Sequence, residues 1–173
     1  MRQEPQLGTG HAVQQAVPHL RDDGTAVVLS GDVPLTQADT LRALVAASGG
    51  ERLALLTVTL PDPTGYGRIV RDSGANVVGI VEHRDASPDE LNICEINTGI
   101  YLFDFALFGP ALKGIGTNNS QAEYYLTDVV AVLASAGHSV GSVIAPASET
   151  AGVNDPLQLA EAEQEMLRRN TAL

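Results

Sequence analysis

The sequence predicts an α/β protein in which helices cover a doubly wound sheet that carries one inserted β hairpin. The short, continuously apolar segment Ala26–Leu29 is typical of a strand covered on both faces. Leu53–Leu60, rich in Leu, Thr and Val, is predicted to be the next strand. Segments with apolar residues at helical spacing alternate with these strands along the chain. Two further β-rich segments, Gly67–Val70 and Val77–Glu82, flank the turn residues Asp72-Ser73-Gly74, which indicates the hairpin.

The remaining elements follow from the same periodicities. Glu95–Phe103 and Val140–Ile144 are predicted to complete the strands. Thr36 stands where the second helix should begin and is expected to cap it, and Gly49-Gly50 is expected to end that helix. Helices are predicted over Gly8–Leu20, Gln37–Ala47, Phe105–Leu112, Tyr125–Ala136 and Pro156–Arg169.

Composition narrows the classes of function. The 173 residues suffice for one domain with its own core, and 44% hydrophobic with 18% charged residues is typical of a globular soluble protein. The net charge of −11 argues against binding to nucleic acid or to an anionic membrane. No apolar stretch reaches the length of a membrane span, and Met1–Pro5 lacks the apolar core of a signal peptide. With a single cysteine, Cys94, a disulfide framework is excluded and a reducing, cytoplasmic location is expected.

A carboxylate, Asp32, stands at the end of the first predicted strand, in the stretch Ser30-Gly31-Asp32-Val33-Pro34. Ligands bind at this edge of open α/β sheets, and an uncompensated charge there is costly. Asp32 is therefore either a ligand of a cation such as Mg²⁺, which prefers oxygen, or part of a turn built from Gly, Asp and Pro. The residues alone leave both interpretations open.

Three more stretches have the residue types of a polar ligand site. Gln6–His11 places glycines at a helix entry, where free N–H groups suit an anion or a carbonyl-bearing ring. Thr64–Arg68 offers backbone groups to a sugar, and Glu82 with Glu95–Gly99 offers acceptors and an amide to a polyol. The structural alternatives are an ordinary helix entry, a hairpin entry and a solvated strand end.

Two stretches near the last helices are equally ambiguous. Glu123–Asp128 either lines a pocket with Tyr and Thr or is a helix start, and Asn154 either supplies a neutral oxygen to a metal or caps the last helix. The four histidines lack the spacing of a zinc site, and the chain contains neither GxSxG nor GxxxxGK[ST]. Zinc, serine-nucleophile and P-loop chemistry are therefore not expected.

Seven stretches, taken in order, resemble one family: the pyrophosphorylase domain of bacterial N-acetylglucosamine-1-phosphate uridylyltransferases. The order and spacing of the stretches make the resemblance specific, and it runs from about residue 3 to residue 169. The stretches are QLGTGHA (6–12), GDVPL (31–35), DPTGYGRIV (62–70), VEHRDA (81–86), EINTGIY (95–101), EYYLTD (123–128) and AGVND (151–155).

The resemblance implies a Rossmann-like nucleotidyltransferase fold with a mixed, mostly parallel sheet and a β-hairpin insertion. It implies the Mg²⁺-dependent reaction of UTP with N-acetylglucosamine 1-phosphate, which gives UDP-N-acetylglucosamine and pyrophosphate and feeds peptidoglycan and cell-envelope synthesis. Asp32 would be the catalytic residue and, with Asn154, a Mg²⁺ ligand, beside Ser30 and Gly31. By the same resemblance, the uracil would be read by Gln3, Gln6, Gly8 and Thr9, and the sugar phosphate would be held by Gly67, Glu82, Asn97 and Thr127.

The sequence also departs from the family. The family's opening strand and glycine-rich loop, LAAGxGTRM with a following lysine, are absent from residues 1–173, and so is a β-helical acetyltransferase domain. Lys113 is the only lysine. We therefore expect residues 1–173 to form a partial pyrophosphorylase domain with impaired catalysis, which pairs with a complementary N-terminal fragment or with itself. The alternatives are a non-catalytic nucleotide-sugar-binding module and a nucleotidyltransferase for another sugar 1-phosphate.

Overall fold

The computed structural model of the chain describes residues 2–20, 24–49 and 53–171. The strands form one sheet and are β1 (Thr25–Val28), β2 (Leu53–Thr59), β3 (Arg68–Arg71), β4 (Val77–Val81), β5 (Glu95–Asp104) and β6 (Gly141–Ile144). Hydrogen-bonded neighbours follow the order β4-β3-β5-β2-β6, and β1 pairs with β5.

The helices lie between and after these strands, as the alternating pattern predicts. They are α1 (Thr9–Ala16), α2 (Ala38–Ala47), α3 (Phe105–Gly114), α4 (Asp128–Ser135), α5 (Ala147–Thr150) and α6 (Pro156–Thr171). The short helix α5 was not predicted, and α1 gives way to a 3₁₀ turn at Val17–His19, where Pro18 lacks a backbone N–H. Within the described ranges, no helix has both the length and the apolar character needed to cross a bilayer.

The α/β class with an inserted hairpin is confirmed, but the sheet is less parallel than expected. Strand β5 runs antiparallel to β1, β2 and β3, and among the described strands only β2 and β6 form a parallel pair. Although β1, β2, β3 and β6 share one direction, the reversed β5 lies among them. Strands β4 and β5 are both antiparallel to β3 and lie on either side of it, so residues 82–94 carry the chain past β3 and return it to the sheet in the direction of β4. Strand β5 is therefore opposed to β1, β2, β3 and β6.

Strand β5 pairs with two different strands along one edge, and a gap separates these two partners. Along the other edge β5 pairs with β2. On the shared edge, β3 pairs with the start of β5, where Arg68 lies opposite Ile96, and β1 pairs with its end, where Val28 lies opposite Tyr101. Residues 97–100 of β5 pair with neither strand on this edge. The sheet is therefore split open at that point.

The first half of strand β2 packs against apolar residues on both faces of the sheet. Leu53 and Leu55 belong to a cluster covered by α3 and α4, whereas Ala54 and Leu56 face a second cluster with Leu44 of α2. Successive strand residues point to opposite faces, so a strand covered on both sides has a run of buried residues. The same coverage, predicted for Ala26–Leu29, is wrong for β1, in which exposed residues alternate with half-buried ones.

Two predicted helix starts are wrong for tertiary reasons. Helix α4 begins at Asp128 and not at Tyr125, because the residues before it form a turn in which the Asp128 N–H donates to the Tyr125 carbonyl at 3.2 Å. The Leu126 N–H donates instead to Thr9 Oγ1 of the distant α1 at 3.0 Å. Thr36 does not cap α2, since Gln37 occupies that position and Thr36 Oγ1 donates to the Glu149 carbonyl at 3.2 Å.

The predicted C-terminal ends of α3 and α2 have different outcomes. Helix α3 continues two residues past its predicted end, through Lys113 to Gly114. Gly49 follows α2 with φ +54°, as a terminating glycine should, and Gly50 lies outside the described residues.

Candidate active site

A cavity of about 480 Å³ opens where the edge of β5 is split. We call it the polar cavity. It gathers six of the predicted site residues from across the chain: Ser30, Asp32, Gly67, Glu82, Asn97 and Asn154. None of the lysines or arginines in the described ranges lines it.

Asp32 and Asn154 meet at one end of the polar cavity. Asp32 lies in the turn after β1, Asn154 lies just before α6, and the Val153 N–H donates to the Asp32 carbonyl at 2.8 Å. A Cβ built on Gly152 would lie 3.7 Å from Oδ2 of Asp32 and 3.4 Å from Nδ2 of Asn154. Both side chains therefore flank this glycine.

The donor set at this end fits a divalent cation. One carboxylate and one amide oxygen are hard ligands of the kind that Mg²⁺ prefers, and both residues are open to water, which would complete the coordination. The described part of the chain contains no group of three or more His, Cys, Asp or Glu side chains placed to hold a metal. A cation bound here would therefore depend on water and substrate oxygens for most of its ligands.

Asn97 is fixed in the wall of the polar cavity by three hydrogen bonds. Its N–H donates to the Gly67 carbonyl at 2.9 Å, and its Nδ2 donates to Tyr101 Oη at 2.6 Å. Its Oδ1 accepts from the Gly99 N–H at 3.2 Å. Burial raises the pKa of Tyr101, so its hydroxyl stays protonated and accepts this bond as a neutral group. The amide is thus held in one orientation before any ligand arrives.

Glu82 faces the polar cavity from the end of β4 and is bonded to a buried threonine. Thr127, which is 3% exposed, donates through Oγ1 to Glu82 Oε1 at 3.0 Å. Burial raises the pKa of the Glu82 carboxyl, the Thr127 hydrogen bond lowers it, and the nearby Asp128 and Asp85 carboxylates raise it again. The carboxylate is therefore poorly solvated and suited to accept from a ligand hydroxyl or amide.

Gly67 is packed closely against this carboxylate. A Cβ at Gly67 would lie 3.1 Å from Ile80 Cγ2 and 3.4 Å from Glu82 Oε2. A side chain here would press on Glu82, so the glycine keeps the carboxylate accessible from the loop side.

An apolar groove of about 590 Å³ adjoins the polar cavity and shares Ser30, Glu82, Asn97 and Gly99 with it. Thr9 and Thr127 contribute to its wall, and most of its lining comes from apolar residues of α1 and β1. The predicted site residues are therefore distributed over two connected recesses.

The other residues expected at the uracil lie outside both recesses. Gln3 Nε2 donates to the Gly8 carbonyl at 2.9 Å, and Gln6 is exposed. Gly8 has φ +105° and its Cβ position is 2.6 Å from the Tyr124 carbonyl oxygen, so packing alone requires a glycine there. Gly31 is likewise exposed and lines neither recess.

Sequence reasoning did not select Gly99 as a site residue, although it lies at the junction of the two recesses. It has φ +77°, and a Cβ there would lie 2.8 Å from Ser30 Oγ. Its presence in the stretch Glu95–Gly99 was the only signal, because a glycine inside a strand marks a bulge or a close backbone approach.

The fold and site define a class: an open α/β domain with a polar, ligand-sized cavity at a break in the sheet. Residues 1–153 match the family described as nucleotidyl transferase, and the chain belongs to this family. The prediction of an enzyme family is thereby confirmed.

Among curated proteins, the chain is similar to the pyrophosphorylase region expected from its motifs. It is 61% identical to "Bifunctional protein GlmU" of Paracidovorax citrulli (strain AAC00-1) over 95% of this chain and 35% of that protein. It is 57% identical to the protein of the same description from Acidovorax sp. (strain JS42) over 99% of this chain and 36% of that protein. The chain thus spans about a third of the length of these relatives.

Among solved structures, the chain resembles a UDP-glucose pyrophosphorylase in complex with UDP-glucose. The TM-score is 0.68 over 83% of this chain and 56% of that chain, with 14% identity. At this identity the likeness supports the fold and not the substrate.

Proposed function

We propose that the chain is a uridylyltransferase domain that joins UTP and N-acetylglucosamine 1-phosphate and releases pyrophosphate. The observation that carries the proposal is the convergence of Asp32, Asn154, Glu82 and Asn97 on one cavity. A cytoplasmic location and a role in supplying the cell envelope belong to the same proposal.

In this reaction a sugar phosphate oxygen attacks the α-phosphorus of UTP, and two anions must be brought together. Positioning and charge neutralisation therefore account for most of the catalysis. Asp32 and Asn154 would hold Mg²⁺, which when bound neutralises phosphate charge. Because no lysine or arginine of the described chain lines the polar cavity, we expect turnover to depend strongly on that cation and to be low.

The sugar phosphate would occupy the part of the polar cavity that lies beyond Asp32 and Asn154. Glu82 would accept from a hydroxyl or the acetamido N–H, and Asn97, held by Tyr101, would present its amide to a hydroxyl. Gly67 would offer its backbone beside them, and Thr127 would hold Glu82 in place. The uridine is assigned to Gln3, Gln6, Gly8 and Thr9, with Ser30 and Gly31 near the phosphates.

The test is pyrophosphate release from UTP and N-acetylglucosamine 1-phosphate with MgCl₂, using the full chain. Asp32→Ala should abolish the release, because it removes the only charged ligand of the cation. Asp39→Ala is the matched control, since Asp39 is an exposed carboxylate on α2 paired with Arg42. Equal rates for wild type and Asp32→Ala would refute the proposal.

A second candidate, a module that binds a nucleotide sugar without turnover, is favoured by the absence of basic residues from the described cavity wall. Calorimetry with UDP-N-acetylglucosamine and with UTP separates the two. Binding of the former, without pyrophosphate release in the assay above, would select the module. Release with other sugar phosphates or nucleotides would instead widen the substrate range.

Strand β1 supports the proposal that this domain associates with a further strand. In the described residues β1 pairs only with β5, and Val27 and Leu29 beside its free edge are 43% and 55% exposed. Unprotected apolar edges favour strand addition. We propose a complementary N-terminal fragment as the partner, and sedimentation across concentrations would reveal self-association instead.

A further inference from the structure

Asp32 and Asn154 belong to two segments that are far apart in sequence, so their spacing depends on contacts between those segments. The Val153–Asp32 backbone bond is one such contact. Two side chains outside both recesses, Glu149 and Arg169, provide further links between the same segments.

Glu149 ties α5, which precedes Asn154, to the start of α2, which follows Asp32. Its side chain is 5% exposed, and its carboxylate accepts from the Gln37 N–H at 3.3 Å, from Gln37 Nε2 at 2.9 Å and from Thr40 Oγ1. Within the described residues it forms no salt bridge. Its charge lies at the N-terminus of α2, where the helix dipole favours an anion.

Arg169 joins the same two segments from the side of α6. Its Nη1 donates to the Leu35 carbonyl at 2.8 Å, and its Nη2 donates to the Ser148 carbonyl at 2.9 Å. Its Nε donates to Glu165 Oε1 at 2.8 Å, which fixes the guanidinium on its own helix. One planar group therefore contacts the Asp32 segment and the Asn154 segment at once.

We propose that Glu149 and Arg169 are positioning residues that set the spacing of Asp32 and Asn154 and thereby the affinity for a divalent cation. This inference rests on the cation site of the proposed function. Neither residue touches the substrates; each acts through the backbone of the segments that carry the two ligands. Partners that bond a metal ligand directly typically contribute 10–100-fold to metal affinity, and we expect these more remote residues to lie at the lower end of that range.

The test measures Mn²⁺ binding to the full chain directly, from the EPR signal of free Mn²⁺, without substrates. Arg169→Met and Glu149→Gln should each weaken Mn²⁺ binding about tenfold, and Arg169→Lys should recover part of the loss. Arg168→Met is the matched control for arginine, because Arg168 also pairs with Glu165 on α6 but contacts neither segment. Exposed Glu163→Gln is the control for glutamate.

Thermal melts accompany the titrations, because a merely structural role would lower Tm and leave Mn²⁺ binding by the folded chain unchanged. If Glu149→Gln does not fold, Arg169→Met and Arg169→Lys are sufficient to test the inference. If Asp32→Ala loses Mn²⁺ binding but Arg169→Met binds Mn²⁺ within twofold of wild type, the inference about Arg169 and Glu149 is overturned. The proposed cation site is then retained. Unchanged binding in Asp32→Ala overturns both.

Discussion

Thr127 Oγ1 donates to Glu82 Oε1 at 3.0 Å, and both residues lie beside the junction of the polar cavity and the apolar groove. The bond joins the end of β4 to the residue before α4, so it orients a carboxylate that nothing on its own strand fixes. The bond also partly offsets the effect of burial on the pKa of Glu82.

Thr127→Val should weaken binding of N-acetylglucosamine 1-phosphate, because the isosteric side chain leaves Glu82 unoriented. Ordering one side chain on binding costs about 0.5–1.5 kcal/mol, so we expect a rise in Kd of about twofold to tenfold. Calorimetry measures the change. Thr117→Val, at an exposed loop position, should leave Kd unchanged, and an equal effect of both substitutions would contradict the prediction.

Glu82→Gln should alter the pH dependence of stability. Burial raises the pKa of the Glu82 carboxyl above the ordinary value of 4.5, so the folded state disfavours the charged form. By linkage this penalty is absent below pH 4.5 and grows as pH rises through the folded-state pKa. Glu82→Gln should therefore be more stable than wild type at neutral pH, with the difference vanishing below pH 4.5. Urea melts between pH 4 and 8 would show this, and a difference that grows at low pH would contradict it.

Arg71→Met should destabilise the sheet beside the polar cavity. The Arg71 guanidinium donates twice to Glu95 at 2.7 and 2.9 Å and once to Ser142 Oγ at 3.0 Å, which joins β3, β5 and β6. Removing it leaves Glu95 without its cation, at a cost of about 2 kcal/mol in the free energy of unfolding.

The stability effect of Arg71→Met depends on pH with the opposite sign to that of Glu82→Gln. The hydrogen bond from Arg71 holds the pKa of Glu95 below 4.5, so the stabilisation is present above pH 4.5 and fades as pH falls through the folded-state pKa. Urea melts of wild type and Arg71→Met should therefore converge in acid. Arg42→Met, which removes an exposed pair on α2, should cost less than 1 kcal/mol and serves as the control.

Gly99→Ala should cost about 1–3 kcal/mol from backbone strain at φ +77°, with an added penalty from the contact at 2.8 Å with Ser30 Oγ. Gly137→Ala isolates the first effect, because Gly137 has φ +86° and open space around it. Ser30→Gly combined with Gly99→Ala should recover only the contact penalty. Equal denaturant midpoints for the two single alanine variants would show that the contact with Ser30 has no cost.

Several features followed from local sequence alone. The composition of Leu53–Leu60 indicated strand β2, and the turn residues at 72–74 indicated the hairpin. The apolar run at Ala26–Leu29 indicated strand β1, but its expected coverage on both faces is wrong. The stretches that hold Asp32, Glu82, Asn97 and Asn154 were selected by residue type and position, and the structure gathers these four residues on one cavity. Their chemical roles stay predictions.

Other features depended on contacts between distant segments. No local pattern indicated that Thr36 and Thr9 would bond to remote backbone groups beside the starts of α2 and α4. Nor could it place Gln3 and Gly8, whose contacts lie within the α1 entry and against Tyr124.

The α/β class, the main elements and the residue types of a polar ligand site can be predicted from local sequence, because periodicity and side-chain chemistry are local properties. The direction of β5, opposed to its neighbours, and its pairing with both β1 and β3 on one edge follow from contacts between distant segments. That break creates the polar cavity, and the Glu149 and Arg169 contacts span segments from opposite ends of the chain. Such features arise from packing between elements, and no local pattern of residues encodes them.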